Sequence, residues 1–167
     1  MWRFANVMNI DHSEPCYNLT PGWQTETMEV RMPAASTTAA MSVPPSDPST
    51  WDPAFDAVVA APANHKVIFE NDRLRVLEVT LLPDEEEPTH HHRWPSVFVF
   101  DQVQGPVYDM APDGTKLPPN RDVMRALDQW NGQGCLIAHM APTPLGRVLN
   151  ASGKIIHGIR IEMKTAK

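Results

Sequence analysis

Between residues 65 and 163 the chain is cut into short apolar runs, each ended by Pro, Gly or an Asn-Asp or Asp-Gly pair before it reaches helical length. Such runs cannot build long amphipathic helices, so apolar surface has to be buried by strands stacked into sheets. The alternation predicts strands at Lys66 to Phe69, Leu74 to Leu82, Ser96 to Phe100, Gly105 to Met110, Cys135 to Met140, Arg147 to Asn150 and Ile155 to Met163. Asn71-Asp72 reads as a turn, and Asp113-Gly114 as the turn of an antiparallel hairpin. Pro53 to Ala61 reads as a short helix with Asp52 as its N-cap, and Arg121 to Leu127 as a helical turn. Several short strands with little helix predict an all-β sandwich or barrel.

A length of 167 residues suits one core. The 17 prolines are concentrated where that core has not yet begun. From Pro33 to Pro53 the chain is rich in Pro and small residues without apolar periodicity, and such a stretch buries too little to offset its ordering entropy. We therefore divide the chain into an N-terminal arm or linker, 1–50, disordered or exchanged with a partner subunit, and a barrel domain, 51–167. The scattered Trp2, Phe4, Tyr17 and Trp23 suit packing on a partner; translation starting at Met32 or Met41 is the alternative.

Acidic residues number 20 and basic residues 14, a formal net charge of −6, with no Lys/Arg block. That argues against nucleic acid or an anionic membrane as partner. No apolar run approaches the roughly 20 residues needed to span a bilayer. Asn9, Asp11, His12 and Ser13 interrupt the start before a signal sequence can form, so a cytoplasmic location is expected. Cys16 and Cys135 are far apart and match no metal-knuckle or disulfide framework.

The chemistry is concentrated in His90, His91 and His92. On a strand, residues two apart share a face, so His90 and His92 reach one ion while His91 points away. Imidazole suits Fe, Mn, Zn, Ni or Cu, and the spacing does not choose among them. The preceding run Asp84-Glu85-Glu86-Glu87 reads as a solvated turn.

The stretch from Leu82 to Val97, a Pro-bounded turn followed by His-His-His-Arg-Trp-Pro, resembles the first metal motif of the cupin superfamily. With Phe69 to Glu78, Asn150 and His157 to Lys164 it is similar to short single-domain bacterial cupins over roughly two thirds of the chain. The resemblance implies a double-stranded β-helix, a small jelly-roll barrel holding a divalent metal. Two positions depart from that pattern. Ser96 and Val97 stand where a ligating Glu is usual, and Gly146 stands where the second motif usually supplies a His.

Periodicity offers a substitute. Ile155, His157, Ile159, Ile161 and Met163 share the more apolar face of the last strand, so His157 is expected to enter the barrel, as a third metal ligand or as a hydrogen-bonded core residue. His139 is a weaker candidate, and His65 and His12 are set aside. Arg93 and Arg147 are candidate anchors for a substrate carboxylate or another anion. Arg73, Arg75 and Glu78 alternate on a strand whose inward face the pleat leaves open. No catalytic residue is identified: Gly-rich phosphate loops, nucleophile elbows and zinc helices are absent from the sequence.

Two functions fit these residues. One is a cupin-type metalloprotein acting on a small organic molecule, as a dioxygenase, isomerase or lyase. The other is an inactive cupin that binds a small molecule or a partner subunit. A homodimer is expected, because pairing covers exposed sheet edges.

Overall fold

The computed structural model describes residues 47–164; the expectations for the arm, its alternative starts and Cys16 fall outside the described residues. Within them lie eight strands: β1 (His65–Glu70), β2 (Leu74–Leu81), β3 (His90–His92), β4 (Ser96–Gln102), β5 (Val107–Met110), β6 (Leu136–Met140), β7 (Thr143–Asn150) and β8 (Ile156–Met163). Two helices accompany them, α1 (Ala57–Ala60) and α2 (Arg121–Gln129). One sheet has the order β1-β2-β8-β4-β6 and the other β3-β7-β5, every pair antiparallel. From β2 onward each strand enters the sheet opposite the one before it. That alternation is the double Greek key of a jelly roll.

Local chemistry sets the turns. Asn71 Oδ1 accepts from the Arg73 and Leu74 amides at 2.8 and 3.0 Å, closing the β1–β2 hairpin. Asp113 Oδ1 accepts from Thr115 N at 2.8 Å, and Gly114 takes the left-handed conformation, φ 86°, that this hairpin needs. Asn150, fully buried, donates through Nδ2 to the carbonyls of Leu82 and Lys154 at 2.9 and 2.7 Å, fastening the end of β7 to two neighbouring loops. The helix expected over Pro53 to Ala61 is split in two. Asp52 caps a 3-10 turn, Pro53–Phe55, and Asp56 then caps α1.

Inward-facing residues of the larger sheet form cross-strand rungs. Leu81 and Ile156 make one rung, and Val79, Gly158, Phe100 and Leu136 the next. Leu77, Arg160, Phe98 and Ala138 follow, and Arg75, Glu162, Ser96 and Met140 complete the series. The interior therefore grades from apolar to charged along its length.

This grading overturns the expectation for β8. Ile156, Gly158, Arg160 and Glu162 are its buried residues, while His157, Ile159 and Ile161 lie on the outer face, half-buried. Hydropathy misleads here because the outer face of the sheet is itself apolar: Val97 and Val99 pair with Ile161 and Ile159.

Candidate metal centre

β3 is extended, so the pleat turns His90 and His92 inward, leaving each only 6% and 3% exposed. His91 points the other way, donating through Nε2 to the Asp52 carbonyl at 2.8 Å and packing against Trp51. A third imidazole meets the pair. His65, set aside in the sequence, opens β1 opposite Val79 and is 4% exposed. Ligand nitrogens of His65, His90 and His92 all lie within 4.8 Å of one another, and the three rings form a triangle with centroids 4.6 to 5.0 Å apart.

The hydrogen bonds fix which nitrogens face inward. His90 Nδ1 lies 2.8 Å from the Pro88 carbonyl and His65 Nδ1 lies 3.3 Å from the Ala61 carbonyl. A carbonyl oxygen only accepts, so both Nδ1 atoms carry the proton and both Nε2 atoms present lone pairs. His92 Nδ1 lies 2.7 Å from Glu162 Oε1, which accepts from it in the same way. The carboxylate–imidazole pair of a metal ligand has this form. In that state His90 Nε2 and His92 Nε2 oppose two lone pairs at 3.2 Å.

A cation between the nitrogens would relieve that opposition. A proton is disfavoured: burial first, then neighbouring positive charge, pushes His65 down to about 3, lowers His90 and holds His92 well below the usual histidine range. A tetrahedral ion with bonds near 2.0 Å spaces its ligand nitrogens by about 3.3 Å, close to the observed separation. The donor set fits a divalent transition metal, and three neutral imidazoles do not select which one.

Charged groups surround the triangle. Glu162, wholly buried, accepts from Arg75 Nε at 2.6 Å as well as from His92. Arg75 also pairs with Asp56 at 2.9 Å, tying α1 to the barrel. Glu87, read as part of a solvated turn, is instead 4% exposed with Oε1 3.7 Å from His90 Nε2. The turn is solvated only in part: Glu86 faces solvent, while Glu87, three residues before His90, folds in.

The other sequence candidates lie elsewhere. His157 does not join the cluster: its Nδ1 lies 2.6 Å from Asp101 and its Nε2 3.6 Å from Glu78 on the outer face. His139 is exposed on β6. Arg93 donates to the Trp51 carbonyl at 3.2 Å and faces Asp56 at 3.9 Å, so it fastens the N-terminal segment at the rim. Arg147 is paired with Glu86. Of Arg73, Arg75 and Glu78, Arg75 is the one turned inward; Arg73 precedes β2 and is exposed. Gly146 pairs with His90, and a Cβ there would lie 3.1 Å from the Met110 carbonyl, so the third imidazole comes from β1 instead of β7.

Glu87 and the histidines give the metal-free fold opposite pH dependences. Burial pushes Glu87 from 4.5 up to about 8, against the Val148 backbone and Arg160. Between those values the folded state holds the extra proton, so stability falls as pH rises. His65 drops from 6.5 to about 3, so there the unfolded state holds the extra proton and stability falls as pH falls. Above pH 6.5 the Glu87 effect stands without that opposition. Chelator-treated protein should lose stability from pH 6.5 to 8 by at most about 1.4 kcal/mol per pH unit. Glu87→Gln should be flat over the same range in thermal melts; equal slopes would mean that Glu87 is not held protonated.

In strand order this is a jelly roll, with three imidazoles gathered inside it. No protein-family model matches the chain, and no curated protein does. Among solved structures it is similar to the crystal structure of a cupin domain from Bordetella pertussis Tohama I. The two are 22% identical with a TM-score of 0.43, over 60% of this chain and 92% of that one.

Proposed function

We propose that this protein is a small metalloprotein that holds one divalent transition metal on His65, His90 and His92 and acts on a small organic molecule inside the barrel. The observation that carries the reading is the convergence of three imidazoles whose ligand nitrogens lie within 4.8 Å of one another and whose Nδ1 partners are already fixed. Three neutral ligands leave the charge of the ion undiminished and coordination positions open, the pattern of a catalytic and not a closed structural site. An ion so held acts as a Lewis acid toward a substrate oxygen or activates water or O2.

The chain's own groups divide the remaining work. Ala61, Pro88 and Glu162 orient the imidazoles through their Nδ1 atoms. Phe98 and Phe100, stacked at 3.8 Å, help to exclude water from the interior. Glu87 presents a carboxyl that can hold a proton beside His90.

The test is metal analysis of purified protein and of single alanine variants at His65, His90 and His92. Stoichiometric first-row metal is expected in the parent protein, with more than about ten-fold weaker retention in each variant. His157→Gln should retain the metal fully. A parent protein that takes up no metal on reconstitution, or a His65→Ala variant that keeps it all, would remove the reading.

A further inference from the structure

Arg160 is the group in this interior that the metal reading leaves unused. It is 4% exposed, on the inward face of β8 between Leu77 and Phe98. Its Nε donates to Ser96 Oγ at 3.0 Å and its Nη2 to Thr143 Oγ1 at 3.2 Å, both neutral hydroxyls. A guanidinium carries five N–H donors, so three remain without a protein acceptor among the described residues. No carboxylate of those residues lies within ion-pairing distance of it. Glu162, next inward on the same strand, is engaged by Arg75 and His92.

Position links this cation to the candidate centre. Thr143, which holds Nη2, is the cross-strand partner of His92. The charge of Arg160 also contributes to the lowering at all three histidines. Burial draws the guanidinium down to about 10, so it is still charged at neutral pH. Glu162 and Glu87 offset part of the cost of burying this cation without pairing with it, and the Phe98 ring lies 5.8 Å from its Cζ; a planar fork with free donors matches a carboxylate in two-pronged fashion.

We infer that Arg160 binds the carboxylate of the small molecule that enters this barrel, so that the substrate class is a small organic acid. The inference deepens the proposed function, on which it rests for the location of the site. Arg93 and Arg147, the anchors expected from the sequence, are occupied at the rim and by Glu86. Ser96 and Thr143 aim the fork.

The experiment titrates acetate, propionate and benzoate, each beside its uncharged amide, into metal-loaded and chelator-treated protein, reading heat and thermal shift. Each carboxylate should bind at least ten-fold more tightly than its amide. Arg160→Gln should abolish that preference. Arg160→Lys, which keeps the buried charge if Gln prevents folding, should reduce it several-fold while leaving metal content unchanged. A preference that survives in either folded variant at parent strength, or its absence from the metal-loaded parent, overturns the inference and leaves the metal reading standing. A preference that depends on Arg160 in a parent protein that takes up no metal supports anion binding and removes the metal reading instead.

Discussion

Gly158→Ala is expected to leave little folded protein. Gly158 lies on the inward face of β8 between Val79 and Phe100. A Cβ at this position would lie 2.4 Å from the Val99 carbonyl oxygen, 2.9 Å from Phe98 Cε2 and 3.0 Å from Phe100 Cα. Two of these three atoms are backbone, so no side-chain rotation relieves the contact. β8 and β4 would have to separate at the centre of the larger sheet, opening the hydrogen bonds and the stacked phenylalanines together. Overpacking of this kind costs about 3 kcal/mol or more, a large part of the stability of an ordinary domain. Soluble yield and thermal midpoint measure it. A variant that melts within a few degrees of the parent would mean that the strands are not so close.

Glu162→Gln should damage both the fold and the metal centre. The carboxylate is wholly buried and gives one oxygen to Arg75 Nε at 2.6 Å and the other to His92 Nδ1 at 2.7 Å. An amide has one oxygen. Whichever donor receives it, the other meets an N–H2 group, and Arg75 is left with Asp56 alone as a charged partner. Breaking a buried pair in this way costs about 3 to 5 kcal/mol. Loss of the group that orients a ligating imidazole lowers metal affinity by about 10- to 100-fold. Urea unfolding and competition with a chromophoric chelator read the two effects separately. Metal affinity unchanged in a folded variant would place His92 outside the centre.

The strands were legible because alternation and turn chemistry are local. Lys66 to Phe69 grew by one residue at each end to become β1, Ser96 to Phe100 was extended to Gln102, and Arg147 to Asn150 was extended back to Thr143. The pleat likewise placed His90 and His92 together without reference to anything distant. His65 carried no such signal. β1 is exposed at every position after its first, so no amphipathic pattern says which way it faces. Its imidazole reaches the centre only because His65 pairs with Val79. Glu87 was hidden for a related reason, since its neighbours in the acidic run are mainly solvent-facing.

β8 marks the boundary most clearly. Its sequence determined that Ile156, Gly158, Arg160 and Glu162 share one face and that His157, Ile159 and Ile161 share the other. Only closure of the barrel decided which set is inside. A period of two is symmetric between faces, and the usual guide, that the apolar face is buried, fails where Arg75, His92 and Ser96 already supply partners for inward charges. Alternation belongs to the chain, while the direction of each face is set by strands that are distant in sequence and adjacent in space.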